Sequence, residues 1–341
     1  MSRTSVTDPA PRAASLGSRL AALGSTGEVG GLLLFLALVV LGFSLATDRF
    51  LTVPTFASIA FQLPELGLLT LAMLIPILSG GLNLAITFTA NISGLVLAWV
   101  LQANGGAEAG MAAFLMGALA AVAVGALVGW VMGAIIAYTG AHPILVSLSM
   151  MIFLRGLGEF LTRGGDISGF PEFVREIGHG WFLGIPVPLW LLIGCVALWH
   201  LLLSRTRLGL TIYMAGSNIE ATRHSGIDTR RTLMLVYTLS GVMCGIAGVL
   251  MLARFNSVRV GHGEAYLLIT VLACFLGRVD PFGGFGRALP VALALLILQV
   301  IASGLNLLGA NQHLATALWG VFLILVMVIR YLWAGRSARR T

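Results

Sequence analysis

The chain has 341 residues, of which 58% are hydrophobic and only 10% are charged, and its formal net charge is +7. This composition excludes an ordinary water-soluble domain, in which roughly a quarter of the residues are charged. All 20 residues counted as Lys or Arg are Arg, so the chain lacks the Lys of a Walker A loop or a pyridoxal phosphate site, and any ATP must be used by a partner.

Hydropathy divides the chain into apolar stretches of transmembrane length, which predicts an all-α, polytopic membrane bundle of about ten transmembrane helices. A cytoplasmic N-terminal tail is predicted at 1–28, a transmembrane domain at 29–334 and a cytoplasmic C-terminal tail at 335–341. The first span is interpreted as an anchor and not as a cleaved signal peptide. In chain order the predicted spans are 30–47, 56–79, 83–102, 110–139, 143–162, 187–204, 232–254, 265–280, 288–308 and 313–333.

Most of the Arg residues fall in loops that an alternating topology places on one side of the membrane. The positive-inside rule therefore predicts that both termini are cytoplasmic. This orientation explains the net positive charge, and no nucleic-acid partner is predicted. The spans after Asp48 and after Arg231 run in opposite directions, and each opens a set of four. Two inverted halves are predicted, each with a glycine break, at Gly80-Gly81 and Gly283-Gly284.

Signatures of membrane enzymes and of metal sites are missing from the sequence. Cys195, Cys244 and Cys274 each lie inside an apolar span and form no CxxC pair, and no HExxH occurs. The prediction is therefore a chain with no catalytic residues, no metal and no cofactor.

A polar stripe interrupts the third predicted span. Asn83, Thr87 and Asn91 recur every four residues, which would place them on one helical face. Amides in hydrocarbon need hydrogen-bond partners, so the stripe should face the interior of the bundle. Two interpretations stay open: the stripe lines a substrate pathway, or it only joins neighbouring helices.

Three ionisable residues also fall inside predicted spans. Arg155 and Glu159 lie four residues apart on one face of the fifth span, and we predict a structural ion pair between them. Glu65, in the second span, appears as a lone carboxylate with no basic residue nearby in the sequence. An ion-coupled secondary carrier for a small polar solute could use such a group, and this remains the alternative function.

Glycines in two spans follow the spacing that lets helices approach closely. Gly125, Gly129 and Gly133 form one row, and Gly241 and Gly245 form the other. The rows could meet inside one chain or at a seam between two copies.

A predicted cytoplasmic loop contains a short helix that is specified at both ends. Ser217 followed by Glu220 is a capping box, and Gly226 is a C-terminal stop. A loop that only connects two spans needs no such definition, so we predict a docking element for a soluble partner. An ordered loop without a partner is the other interpretation. The predicted element comprises Ser217, Asn218, Glu220, Ala221, Thr222, Arg223 and Gly226.

Nearly all of the chain beyond the N-terminal tail resembles the permeases of bacterial ribose-type sugar ABC importers. Glu220-Ala221-Thr222-x3-Gly226 is similar to the Glu-Ala-Ala-x3-Gly loop that contacts the ATPase, with Thr222 in place of the second Ala. The stretch from His142 to Gly169 and the one from Ser240 to Gly286 also resemble the family. The sequence departs from the family at Asn83, where an acidic residue is usual, which also suggests a heteromeric importer.

The resemblance implies a non-enzymatic permease subunit that translocates a small sugar, a monosaccharide or a related polyol or furanose, by alternating access. It implies that Ser217–Gly226 couples the chain to cytoplasmic ABC ATPase subunits. The implied further partners are a second permease subunit, identical or not, a periplasmic sugar-binding protein and the membrane lipid. The sequence does not name the sugar.

Overall fold

The computed structural model describes residues 16–310, 317–325 and 328, with side chains from residue 29 onward. Twelve α-helices are assigned in this part of the chain, together with a 3-10 turn at Gly106–Glu108. The first five are α1 (Leu16–Ala46), α2 (Val53–Leu78), α3 (Ile86–Ala103), α4 (Met111–Thr139) and α5 (Pro143–Thr162). The others are α6 (Glu172–His179), α7 (Val187–Arg205), α8 (Arg207–Ser217), α9 (Ile219–His224), α10 (Thr229–Phe255), α11 (Tyr266–Leu276) and α12 (Ala288–Leu307).

Eight of these helices are long and apolar enough to cross a membrane: α1, α2, α3, α4, α5, α7, α10 and α12. The predicted polytopic helical bundle is confirmed. The span predicted at 265–280 contains the shorter helix α11, which ends at Leu276. Of the span predicted at 313–333, residues 317–325 are helical, and most of the remainder lies outside the described residues.

Helix α10 lies at the centre of the bundle and packs against α2, α3 and α4. Its contact with α4 is made by the two predicted glycine rows, which meet inside one chain. A side chain at Gly241 would overlap the carbonyl oxygen of Gly125, and a Cβ at Gly245 would lie 2.7 Å from the Cα of Val122. Glycine at these positions lets the two backbones touch, which is how small residues hold membrane helices together.

Helices α3 and α11 each form the second span of a predicted half, and each is preceded by irregular backbone. Residues 79–85 precede α3, and residues 256–265 precede α11. With 11 residues, α11 is only about 16 Å long, roughly half of the ~30 Å hydrocarbon core. Irregular backbone at membrane depth is tolerated where protein covers it, and interrupted helices at matching positions in two halves typically mark a transport site.

The loops of the bundle segregate to two ends. At one end, β1 (Ile167–Ser168) pairs antiparallel with β4 (Ser257–Val258), and β2 (Trp181–Phe182) pairs with β3 (Ile185–Pro186). At the other end lie residues 79–85, 206–228 and 277–287. We call this second end the α9 face. This grouping is what alternating spans require, because loops an even number of spans apart must share a side.

Candidate functional site

The predicted docking helix is present as α9, in a segment with successive capping residues. Asn218 Oδ1 accepts a hydrogen bond from the Ala221 N–H at 2.9 Å, which caps the helix start. Ser225 ends the helix, and Gly226 follows with a φ of +80°, the left-handed conformation predicted for it. Asp228 then caps α10 through the Arg231 N–H at 3.0 Å. Asn218 at the start and Gly226 after the end thus define the limits of α9, a helix of about two turns.

The predicted capping box is wrong by one residue. Ser217 is the last residue of α8, and its hydroxyl donates to the Tyr213 carbonyl at 3.0 Å. Asn218 is therefore the N-cap, and Glu220 forms an ion pair with Arg223 at 2.8 Å instead of closing a box. Serine and asparagine are comparable N-caps, and α8 continues far enough to include the serine.

The outer surface of α9 carries charged and apolar side chains together. Glu220, Arg223 and His224 are exposed, and Ile219 is 41% exposed beside them. Thr222 points the other way: it is buried, and its hydroxyl donates to the Asn218 carbonyl at 2.8 Å. An exposed apolar side chain beside several charged side chains suits contact with a protein better than contact with lipid.

Helix α8 joins α9 to the transmembrane bundle through closely packed glycines. A side chain at Gly216 would overlap the Leu78 carbonyl at the end of α2, and the Gly284 N–H donates to that carbonyl at 2.9 Å. A Cβ at Gly283 would lie 2.6 Å from the nitrogen of Gly80. The two glycine breaks predicted in separate halves therefore touch. We call Gly80, Gly216, Gly283 and Gly284 the glycine junction.

A second contact supports the glycine junction from α8. The Tyr213 hydroxyl donates to the Gly286 carbonyl at 2.7 Å. Burial raises the pKa of Tyr213 above its ordinary value, and the nearby charge of Arg287 lowers it by less. The hydroxyl therefore stays protonated and remains a donor. Motion of α8 would reach α2 through Leu78 and α12 through the loop at 277–287.

The structure separates Asn83 from the other two residues of the predicted polar stripe, Thr87 and Asn91. Asn83 lies in the turn before α3, which begins at Ile86, so its placement on the same helix as Thr87 is wrong. The Asn83 side chain is fully buried, donating to Ser240 Oγ at 2.9 Å and accepting from the Ala85 N–H at 3.0 Å. Ser240 in turn donates to the Ala72 carbonyl at 2.7 Å. These bonds join α2 and α10 to the start of α3.

Asn91 faces the irregular segment that precedes α11. With its amide oxygen toward the Gly261 N–H at 3.0 Å, its amide nitrogen donates to the His262 carbonyl at 3.2 Å. A void of about 10 Å³ adjoins this contact, far too small for a sugar. On the same helix, the buried hydroxyls of Thr87, Thr89 and Ser93 have no hydrogen-bond partner among the described residues. Solute could meet Asn91 only after the 256–265 segment moves.

Arg155 bridges two elements at the end opposite the α9 face. Its guanidinium lies 3.1 Å from Glu159 on α5 and 3.1 Å from Glu264, next to the start of α11. All three side chains are about half exposed in the single chain. Glu264 could not be connected with α5 from the sequence. The ion pair with Glu264 thus connects α5 with the 256–265 segment that contacts Asn91.

Comparison with known proteins identifies what this bundle is. The family model described as branched-chain amino acid transport system / permease component matches residues 55–329. The chain belongs to this permease family. The Autoinducer 2 import system permease protein LsrD of Yersinia enterocolitica is 32% identical over 297 residues, covering 84% of this chain and 87% of its own length. LsrD of Yersinia pseudotuberculosis is 30% identical over 302 residues, covering 86% and 88%. No solved structure matches significantly.

The family match and the relatives confirm the prediction, made from the sequence motifs, that this chain is a permease of the ribose-type importer class. A transport role for a multi-pass membrane protein follows. The matched range contains every residue that we predicted for the coupling element, the polar stripe and the α5 ion pair.

The permease also contains a buried ion pair that sequence reasoning missed. Arg254 of α10 lies 2.8 Å from Glu65 of α2, and the two side chains are 16% and 1% exposed. Arg254 also donates to the Phe61 carbonyl at 2.7 Å, and the Tyr266 hydroxyl donates to Glu65 at 3.2 Å. The interpretation of Glu65 as a lone carboxylate is wrong. Ionisable groups inside membrane proteins typically pair with one another in this way.

Proposed function

We propose that this chain is a transmembrane subunit of an ABC importer that carries a small sugar-like solute across the bacterial inner membrane, with the α9 face and both termini toward the cytoplasm. Autoinducer 2, named for the relatives, belongs among the first solutes to test. The observation that carries the proposal is α9, a capped helix with an exposed outer surface that is tied to both halves of the bundle.

In this proposal α9 contacts the ATPase, and the glycine junction transmits its movement. Glu220, Arg223 and Ile219 form the contact surface, while Thr222 faces the chain. Backbone atoms packed against backbone atoms cannot yield by changing rotamers. A displacement of α8 would therefore be passed to α2 and to the loop before α12 as a rigid-body movement.

The solute path is proposed to pass between α3 and the 256–265 segment. Thr87 and Asn91 remain the predicted pathway residues on α3. Asn83 is predicted for the same path, but its two hydrogen bonds are used to hold the turn against α10. The path would open when the segment at 256–265 leaves Asn91, exposing the face of α3 that carries Thr87 and Asn91 to a sugar-like solute.

The remaining partners are proposed from the importer class. A second permease, identical or different, would complete the membrane unit, and ABC ATPase subunits would dock on the α9 face. A periplasmic sugar-binding protein would deliver the solute at the end that carries β1 and β4. No enzymatic chemistry is proposed for this chain.

The coupling role of α9 makes a specific prediction for its cap. Asn218→Ala should reduce the stability of the helix by about 0.5–2 kcal/mol, because the Ala221 N–H loses its partner. A loss of 1 kcal/mol lowers the folded fraction of α9 by at most roughly fivefold, so ATPase binding should weaken by up to that factor. Gly226→Val should act in the same direction, since Val resists the φ of +80°. Co-purification of the ATPase with the permease measures the effect.

Two matched variants make the result specific. Asn218→Asp keeps a capping oxygen and should retain ATPase binding. Asn104→Ala makes the same change as Asn218→Ala at the opposite end of the bundle, where Asn104 is exposed. Equal ATPase recovery from Asn218→Ala, Gly226→Val and Asn104→Ala would leave α9 as an ordered loop without a coupling role.

A further inference from the structure

Two adjoining cavities lie where α7 ends and α12 begins. The first, of about 550 Å³, has a basic and polar lining that includes His200, Ser204, Tyr213, Arg278 and Arg287. The second, of about 440 Å³, is an apolar groove between α2, α7 and α12. His200 lines both cavities. A basic chamber at the α9 face and an apolar groove along the side of the bundle therefore meet at His200.

The basic chamber suits an anion at the level of the lipid headgroups. Arg278 follows α11 directly, and Arg287 immediately precedes α12, so both stand at ends of helices in the bundle. Both side chains are exposed and line the chamber. Basic pockets between transmembrane helices at this level typically hold anionic lipid headgroups.

The dimensions of the apolar groove suit one leaflet. Along α7 it extends from Leu189 to His200, which is about 16 Å at 1.5 Å per residue. Half of the ~30 Å hydrocarbon core is a similar length. Leu289 and Ile193, which line the groove, are 49% and 46% exposed, so the groove opens to the outside of the bundle. An acyl chain could enter it from the side.

We propose that the two cavities form one binding site for an anionic phospholipid of the leaflet at the α9 face. The headgroup phosphate lies between Arg278 and Arg287, and an acyl chain occupies the groove. A free phosphate would use the chamber alone, and a docked ATPase would have no use for the groove, so a basic chamber that adjoins an apolar groove favours a lipid. Gly284 and Gly286 line the chamber, and a bound lipid would therefore brace the glycine junction.

Lipid titration of the purified full-length chain tests this site. Native mass spectrometry would compare phosphatidylglycerol with phosphatidylcholine in detergent. We expect tighter binding of phosphatidylglycerol, weakened about 30-fold in the Arg278→Gln/Arg287→Gln double variant through the loss of two arginine contacts. Ala197→Phe should also weaken it, because Ala197 is exposed and lines the groove. Arg205→Gln removes a nearby exposed charge outside the chamber and should bind like the wild type.

Several results would overturn the proposal. Equal binding of the two lipids, or an unchanged affinity in the double variant, would exclude a headgroup site. Unchanged phosphatidylglycerol binding in Ala197→Phe would restrict the site to the chamber and indicate a free anion. If the double variant lost ATPase co-purification but kept lipid binding, the chamber would belong to the ATPase contact. None of these variants alters α9, so the lipid site can fail while the coupling role stands.

Discussion

Replacing Gly241 with Val is expected to destabilise the permease by about 3 kcal/mol, the upper end of the usual range for overpacking. The new side chain would overlap the Gly125 carbonyl and would lie 3.1 Å from the Cα of Gly129. These are backbone atoms, so relief requires α4 and α10 to separate along their whole contact. Thermal unfolding in detergent and the yield of monodisperse protein measure the loss.

A glycine on the outside of the bundle gives the matched control. Gly194 on α7 is exposed, and a Cβ there would meet nothing within 4 Å. Gly194→Val therefore makes the same change without a clash and should unfold near the wild-type temperature. If Gly241→Val were as stable as Gly194→Val, the glycine rows would not form an intrachain seam, and contact between two copies would become the better interpretation.

Removing one partner of the Glu65–Arg254 pair is expected to have a similarly large effect. Arg254→Met leaves the carboxylate of Glu65, which is 1% exposed, without its counter-charge. Breaking a buried pair from one side typically destabilises by about 3–5 kcal/mol, whereas replacing both partners by apolar residues is often neutral. The Glu65→Leu/Arg254→Met double variant should therefore recover most of the stability lost in Arg254→Met.

An exposed pair provides the comparison. Arg155→Met breaks contacts with Glu159 and Glu264 that are about half exposed, so it should change thermal unfolding little. The opposite pattern would support the ion-coupled carrier: Glu65 and Arg254 single variants that unfold normally but lose transport, with no recovery in the double variant.

Features determined by local sequence could be predicted well. Spans such as α5 follow from hydropathy, from Pro143 at the first position and from Gly164 after the end, and the φ of Gly226 follows from its place after a short helix. The N-cap of α9 was misplaced because Ser217 and Asn218 are adjacent and both suited to the role. Only the length of α8, which ends at Ser217, decides between them.

Features that depend on distant contacts could not be predicted. Glu65 and Arg254 belong to different helices, and nothing near either residue in the sequence indicates the other. Hydropathy also extended the eighth span to residue 280, because Gly277 and Val279 are compatible with an apolar stretch, whereas the helix ends at Leu276 and Arg278 takes a φ of +63°. The glycine rows predicted a close helix contact but not which helices make it.

The source of energy for uptake tests the central claim most directly. Proteoliposomes would contain this permease with its second permease subunit and ATPase, and would receive the binding protein and labelled autoinducer 2 or a panel of small sugars. The account predicts uptake that requires ATP hydrolysis and stops when the ATPase is omitted. Uptake by this chain alone, driven by a proton or sodium gradient without ATP, would contradict it.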